Sequence, residues 1–291
     1  MVFTGWPWPQ IMVSGFALGS FYALVALGFS LIFGITRAFN LAHGEMIVLG
    51  GYLAFFLWKF LQVPFLLTLP ASLSVMGLLS LLLFLLLRRL QEPYALNTLV
   101  VTFGLALLLQ SLMLALFSAD YHMIRAGLPS FTIPRLGFTV SWNQGLLLLL
   151  SLLATGGVHV LLKHTFLGKA LRATIQDPEA AQIAGINVRI MSFTAFGMGG
   201  MLIGLAGPLY AQNMYLYPTA GPEATMIAII ITIFAGVGRI RTLLIGGWIL
   251  GLMESTAILT VGGKWRELVT AAVLVTLLYF RPEGISFRKP G

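Results

Sequence analysis

KHTFLGKALRATIQDPEAAQIAGINVR, residues 163–189, is the longest polar island in a chain that is otherwise mostly compatible with hydrocarbon. It gathers Lys163, His164, Lys169, Arg172, Asp177, Glu179 and Arg189 between two apolar runs. A connection that only reversed the chain would need none of them. The signals are those of a folded segment. Asp177 can cap a helix N-terminus, Pro178 suits the first helical position, Glu179 favours the positive helix end, and Gly185 is a stop. The helix so delimited, Pro178 to Ala184, is about two turns long and too short to stand alone. Its own membrane domain or a soluble partner must hold it, and the spacing does not choose between them.

The flanking runs set the class. Of 291 residues, 58% are hydrophobic and 9% charged, against about 25% charged in ordinary soluble domains. The composition points to an all-α polytopic membrane protein. Long continuous apolar stretches, such as Leu78 to Leu87 and Leu146 to Leu153, exclude the short alternating strands of a β-barrel. The net charge of +8 lies mainly in loops, where the positive-inside rule explains it without nucleic acid. The absence of cysteine removes disulfides, thiolate metal sites and thiol nucleophiles. MVFTGWPWPQ at the start carries no basic residue and leads into an apolar run, so no cleavable signal peptide is expected. Trp6 and Trp8 suit a membrane interface.

At about 20 apolar residues per span, helices are expected near 11–35, 43–61, 64–87, 97–118, 143–162, 190–211, 222–237, 243–261 and 266–280. The second begins in the polar patch NLAHGE and the seventh is short, so the count is eight or nine. A nine-span reading puts the N-terminus outside and the C-terminus in the cytoplasm. Arg37, Arg88, Arg89, Lys163, Lys169, Arg172, Arg189, Arg239, Arg241, Arg281, Arg288 and Lys289 then share one side. Lys59, Arg125, Arg135, Lys264 and Arg266 share the other, and the larger set marks the inside. The island at 163–189 becomes cytoplasmic. The segment 118–142, with turns at Pro129, Pro134 and Gly137, becomes extracytoplasmic. The whole chain, 1–291, reads as one transmembrane domain.

Three GxxxG pairs, Gly15/Gly19, Gly200/Gly204 and Gly247/Gly251, fall inside expected spans and suit close helix packing. Pro208, after Gly204 and Gly207, predicts a kink or break. Asn40, His43 and Glu45 cluster where the first two spans meet. They either satisfy backbone freed at broken helix ends or form a gate or wall of a polar path. Glu254 sits mid-span, where a carboxylate must face the bundle or a water-filled cavity. HExxH, GxSxG and GxxxxGK[ST] are all missing, so neither a zinc peptidase, a serine hydrolase nor an ATP-binding P-loop is expected in this chain.

Three segments carry a family resemblance: GSFYALVALGFSLIFGITRAFNLAHGEMIVLGGYLAF at 19–55, GKALRATIQDPEAAQIAGIN at 168–187, and GGWILGLMES at 246–255 with YFRPEGI at 279–285. Together they resemble the H-type permease of branched-chain amino-acid ABC transporters. The resemblance implies an ABC importer permease that forms half of the translocation path. Its implied partners are a second permease (similar chain or second copy), two ATPase subunits and an extracytoplasmic substrate-binding protein, all within or against the bacterial inner membrane. ATP-Mg would be bound by the ATPase subunits and no cofactor by this chain. The polar island is then similar to a cytoplasmic coupling segment: Gly168, Lys169, Arg172, Asp177, Pro178, Glu179, Ala180, Ala181, Gly185 and Asn187 would meet the ATPase. Asn40, His43, Glu45 and Glu254 would line or gate the path. The stretch Gly238-Arg239-Ile240-Arg241-Thr242 departs from the family's small glycine- and proline-containing loop and is more basic, which affects contact with the ATPase or lipid head groups. A stand-alone secondary transporter or channel, or an ABC permease for urea or other amino acids, is the alternative.

Overall fold

The computed structural model describes residues 8–126, 130–133, 138–260 and positions 262, 265, 268, 271, 272 and 276. The ninth expected span, 266–280, and the YFRPEGI segment lie largely or wholly outside the described residues, as do Trp6, Pro129, Pro134 and Gly137.

Among the described residues, ten helices and one hairpin follow in order. They are α1 Trp8–Thr36, α2 His43–Lys59, α3 Phe65–Leu87, α4 Tyr94–Phe117, β1 Ser130–Ile133, β2 Phe138–Ser141, α5 Trp142–His164, α6 Phe166–Gln176, α7 Pro178–Ile183, α8 Val188–Asn213, α9 Gly221–Ala235 and α10 Ile240–Thr260. Among the described residues, α1, α3, α4, α5, α8 and α10 are long and apolar enough to cross a membrane. The antiparallel hairpin, Ser130 opposite Ser141, is a small β element inside the segment 118–142, in a chain expected to be all-α.

α1 is the axis of the bundle. It is buried almost throughout and packs against α5, α8, α9 and α10. Where α1 meets α10 the backbones nearly touch: a Cβ on Gly19 would sit 2.6 Å from the Gly247 carbonyl oxygen. With Gly15 and Gly251 these residues form a two-sided small-residue seam, the device that lets helices associate in lipid. α8 meets α3 similarly, with Gly204 against Ser72 and Leu73. α8 also runs without a break through Pro208. Gly207 lets the backbone of α2 at Gly50 and Gly51 close against that turn, and packing of this kind holds a proline-containing membrane helix together. At the periphery, Leu66, Leu78, Leu82, Val100, Leu108, Leu149 and Leu153 are exposed, as leucines facing hydrocarbon should be.

α2 and α9 are shorter, at 17 and 15 residues. At 1.5 Å per residue they span about 26 and 22 Å, short of a core about 30 Å thick. The loop after α1 folds back along it, so α2 starts beside the middle of α1: His43 Nε2 lies 3.1 Å from the Val25 carbonyl oxygen. The first turn of α9 meets the first turn of α2. There the Gly44 amide donates to Thr225 Oγ1 (2.8 Å), and a Cβ on Gly221 would lie 2.6 Å from the Glu45 carboxyl carbon. From this meeting point α9 runs toward the polar island. Thr232 donates to the Ala26 carbonyl (3.2 Å), and the Gly238 amide donates to Ser30 Oγ (3.1 Å).

Candidate functional site

The polar island folds through its own capping groups. Thr165 Oγ1 accepts from the Gly168 amide (3.0 Å) and starts α6. Gly168 packs directly on the backbone of Leu161 and Leu162, leaving no room for a side chain. α6 then buries Ala170, Leu171, Thr174 and Ile175 and turns Lys169 and Arg172 outward. Asp177 accepts from the amides of Glu179 and Ala180, both at 3.0 Å, and Pro178 occupies the first turn of α7. The stop is a Schellman arrangement: Ile186 N–H to the Ala181 carbonyl and Gly185 N–H to the Gln182 carbonyl, each 3.0 Å, with Gly185 at φ +84°. Asn187 Oδ1 accepts from the Ile190 amide (3.1 Å) and starts α8. Asp177, Pro178, Gly185 and Asn187 are therefore the residues that shape the segment.

What the segment presents outward differs from what its sequence suggests. Ala181 is 3% exposed and faces the protein, whereas Ile183 is 89% and Phe166 84% exposed. Glu179 and Ala180 are exposed beside Ile183. Two large apolar side chains on an otherwise polar surface mark a contact surface. Spacing alone did not single out either residue.

The segment is tied to the bundle through Ile175. Arg37, just beyond α1, donates from Nη2 to the Ile175 carbonyl (2.6 Å). The Ile175 side chain lies against Gly34 of α1 and Gly238 of the loop between α9 and α10. Ile175 thus joins α6 to the end of α1 and to the loop after α9.

At the far end of α9, Asn40, His43 and Glu45 are buried at 2%, 0% and 2% exposure. Asn40 Oδ1 accepts from the Ala42 amide (3.1 Å), and the His43 ring meets Phe29 edge to face at 5.4 Å. Among the described residues, Asn40 Nδ2, His43 Nδ1 and Glu45 Oε2 have no hydrogen-bond partner. Glu45 lies where the N-termini of α2 and α9 converge, a position where two helix dipoles favour negative charge.

Glu254 is elsewhere. Its carboxylate accepts from Tyr22 Oη at 2.7 Å, joining α10 to α1, and both side chains are buried. It forms part of the wall of a cavity of about 470 Å³ between α1, α5, α8 and α10. Ser14, Asn143, Gln144, Gln212 and Ser255 share that wall; Asn40, His43 and Glu45 do not. Gln212 Nε2 donates to Asn143 Oδ1 (3.2 Å), and no donor reaches the buried Gln212 Oε1 among the described residues. The hairpin leans over this end of α1, with the Thr139 amide donating to Gln10 Oε1 (3.0 Å). Such a lining is rich in acceptors and suits a ligand carrying N–H donors.

The sequence profile of the branched-chain amino acid transport system permease component matches residues 11–278. The chain belongs to this permease family. It is 27% identical to the high-affinity branched-chain amino acid transport system permease protein BraD of Pseudomonas aeruginosa, over 95% of this chain and 94% of the relative. It is 26% identical to the permease protein LivH of the same kind of system in Escherichia coli K12, again over 95% and 94%. A probable branched-chain amino acid transport permease protein LivH of Methanocaldococcus jannaschii is 26% identical, over 95% and 92%. No solved structure matches the chain. In this permease the polar island and the Glu254 cavity lie at opposite ends of α1, with the short helix α9 and its buried polar cluster between them.

Proposed function

We propose that this permease subunit forms half of the translocation path of an ATP-driven importer for branched-chain amino acids. Partner ATPase subunits dock on its α6–α7 segment. The observation that carries the reading is the pairing of an exposed apolar surface, Phe166 and Ile183, with a rigid attachment at Ile175 to α1 and α9. A segment built in this way transmits force. ATP closes the ATPase pair and pushes α7. Ile175 then carries the displacement to the ends of α1 and α9, and α9 carries it to the buried cluster at Glu45. Only differential binding of ATP to the two permease states supplies the bias. In this reading the island is cytoplasmic and the hairpin extracytoplasmic. The acceptor-rich cavity at Glu254 receives the ammonium group of an amino acid handed over by a substrate-binding protein. A second permease, alike or identical, completes the path.

The test uses the absence of cysteine in the chain. A cysteine replacing the exposed Ile183 is crosslinked in native membranes and the captured protein identified by mass spectrometry. Capture of an ATP-binding subunit is the expected result. Labelling of the cysteine from the outer side overturns the orientation. Uptake by the purified chain without nucleotide overturns the ATP-driven mechanism in favour of a stand-alone transporter.

A further inference from the structure

A second cavity, of about 450 Å³, opens where α5 ends, α6 passes and α10 begins. Its wall brings together Lys163 from α5, Arg172 from α6, and Arg239 and Arg241 from the stretch leading into α10, with His159 one turn deeper. These residues are up to 82 positions apart in sequence (159 to 241), and no carboxylate is among the described residues lining the cavity. Lys163, Arg172, Arg239 and Arg241 are all exposed. Leu162 and Ile240, 2% and 7% exposed, make an apolar floor. Lys163, Arg172 and Arg241 around one concavity repel one another unless an anion sits among them.

The surface below the cavity indicates the form of that anion. On α5 the residues at helical spacing beneath Lys163 are Val160, Gly156 and Leu153. Val160 and Leu153 are 57% and 61% exposed, and a Cβ at Gly156 would meet nothing within 4 Å among the described residues. On α10, Ile245 is 41% exposed one turn beyond Arg241. Both helices thus carry a cation at the same end and a bare apolar stripe leading away from it. Basic concavities at the ends of membrane helices hold the head groups of anionic lipids, and the apolar stripe takes the acyl chains.

We propose that this cavity is a binding site for the phosphodiester head group of an anionic phospholipid, with its acyl chains along the Leu153–Val160 stripe. The proposal rests on the permease reading only in taking the ends of α5 and α10 to lie at a membrane surface. It is independent of whether α7 docks an ATPase. Its consequence is mechanical. The lipid would bridge α5, α6 and the α9–α10 loop, so the charge of the surrounding leaflet would set the position of the α6–α7 segment.

Native mass spectrometry of the purified, delipidated full-length chain tests this, with phosphatidylglycerol and phosphatidylcholine titrated separately. Wild type should retain phosphatidylglycerol in preference to phosphatidylcholine. Lys163→Gln/Arg241→Gln should weaken that retention roughly 30-fold, at about fivefold per basic group removed. The charge-preserving Lys163→Arg/Arg241→Lys should restore most of it, and Lys59→Gln, at the end of α2, should change nothing. Equal retention of the two lipids by wild type overturns the proposal without any variant having to fold. Displacement of phosphatidylglycerol by millimolar inorganic phosphate would make a free anion the occupant and overturn the lipid reading. No lipid preference, with protection of the arginines from phenylglyoxal only when an ATPase subunit is added, would make the surface a protein contact and overturn it as well.

Discussion

The Arg37 guanidinium donates a 2.6 Å hydrogen bond to the main-chain carbonyl of Ile175. One residue lies just past the end of α1, at φ +52°, and the other in the last turn of α6, 138 positions later. The bond satisfies one of the carbonyls that a helix C-terminus leaves unpaired, and it places a cation at the negative end of the α6 dipole. It also fixes the polar island to the central helix of the bundle.

Arg37→Ala should loosen that attachment by about 1 kcal/mol, below the roughly 1.5–3 kcal/mol of a charged hydrogen bond because Arg37 is exposed. In a reconstituted importer, substrate taken up per ATP hydrolysed should fall roughly fivefold, while hydrolysis itself changes less. Equal loss of both activities would indicate failed assembly rather than lost transmission.

Asp177→Ala removes the acceptor for two amides of α7 and should cost about 1 kcal/mol. Because α7 has only six residues, that loss should show as faster proteolysis between residues 176 and 187, with the membrane helices intact. Ala181→Arg should have a larger effect than Glu179→Arg, since Ala181 is buried and Glu179 exposed. Equal effects would mean that α7 is rotated from its position here.

Glu254→Gln keeps an oxygen that can accept from Tyr22 but removes the charge. If the carboxylate meets the substrate ammonium group, KM for uptake should rise about tenfold, the value of one charged hydrogen bond. Tyr22→Phe should instead lower thermal stability by about 1 kcal/mol and leave KM nearly unchanged. Unaltered kinetics in Glu254→Gln would assign the Tyr22–Glu254 bond a purely structural role between α1 and α10.

Gly19→Val places a branched side chain against the Gly247 carbonyl and should destabilise the purified protein by about 2 kcal/mol, seen as a lower unfolding temperature in detergent. Gly104→Ala is the control. Nothing lies within 4 Å of a Cβ at Gly104 in α4, so alanine should stabilise by about 0.5 kcal/mol. A neutral Gly19→Val would show that α1 and α10 separate without cost.

Much of the fold was legible because membrane helices and caps are local. An apolar run of helical length declares itself, and α1, α3, α4, α5, α8 and α10 lie close to their expected positions. α2 and α9 also start within one residue of their expected positions. What was not legible is that they meet: nothing adjacent in sequence says that Gly44 and Gly221 face each other. The candidate site divides in the same way. Asp177, Gly185 and Asn187 act on neighbours within three or four residues. Ala181, expected to face outward, is buried, and Ile183, which the sequence reading did not select, is exposed, because only the packed surroundings decide which side of a two-turn helix is covered.

By itself, then, the sequence determined the membrane class, the capped polar segment at 163–189 and the family, because hydrophobic run length and capping chemistry are properties of consecutive residues. The tertiary structure alone decided that Arg37 holds Ile175, that Tyr22 holds Glu254, and that four cations from three elements surround one cavity. It also decided that Glu254 is apart from Asn40, His43 and Glu45. The physical reason is that these relations join helices distant in the chain. Their partners are selected by close packing of small residues and by the cost of leaving polar groups unpaired in hydrocarbon, and no local pattern encodes either.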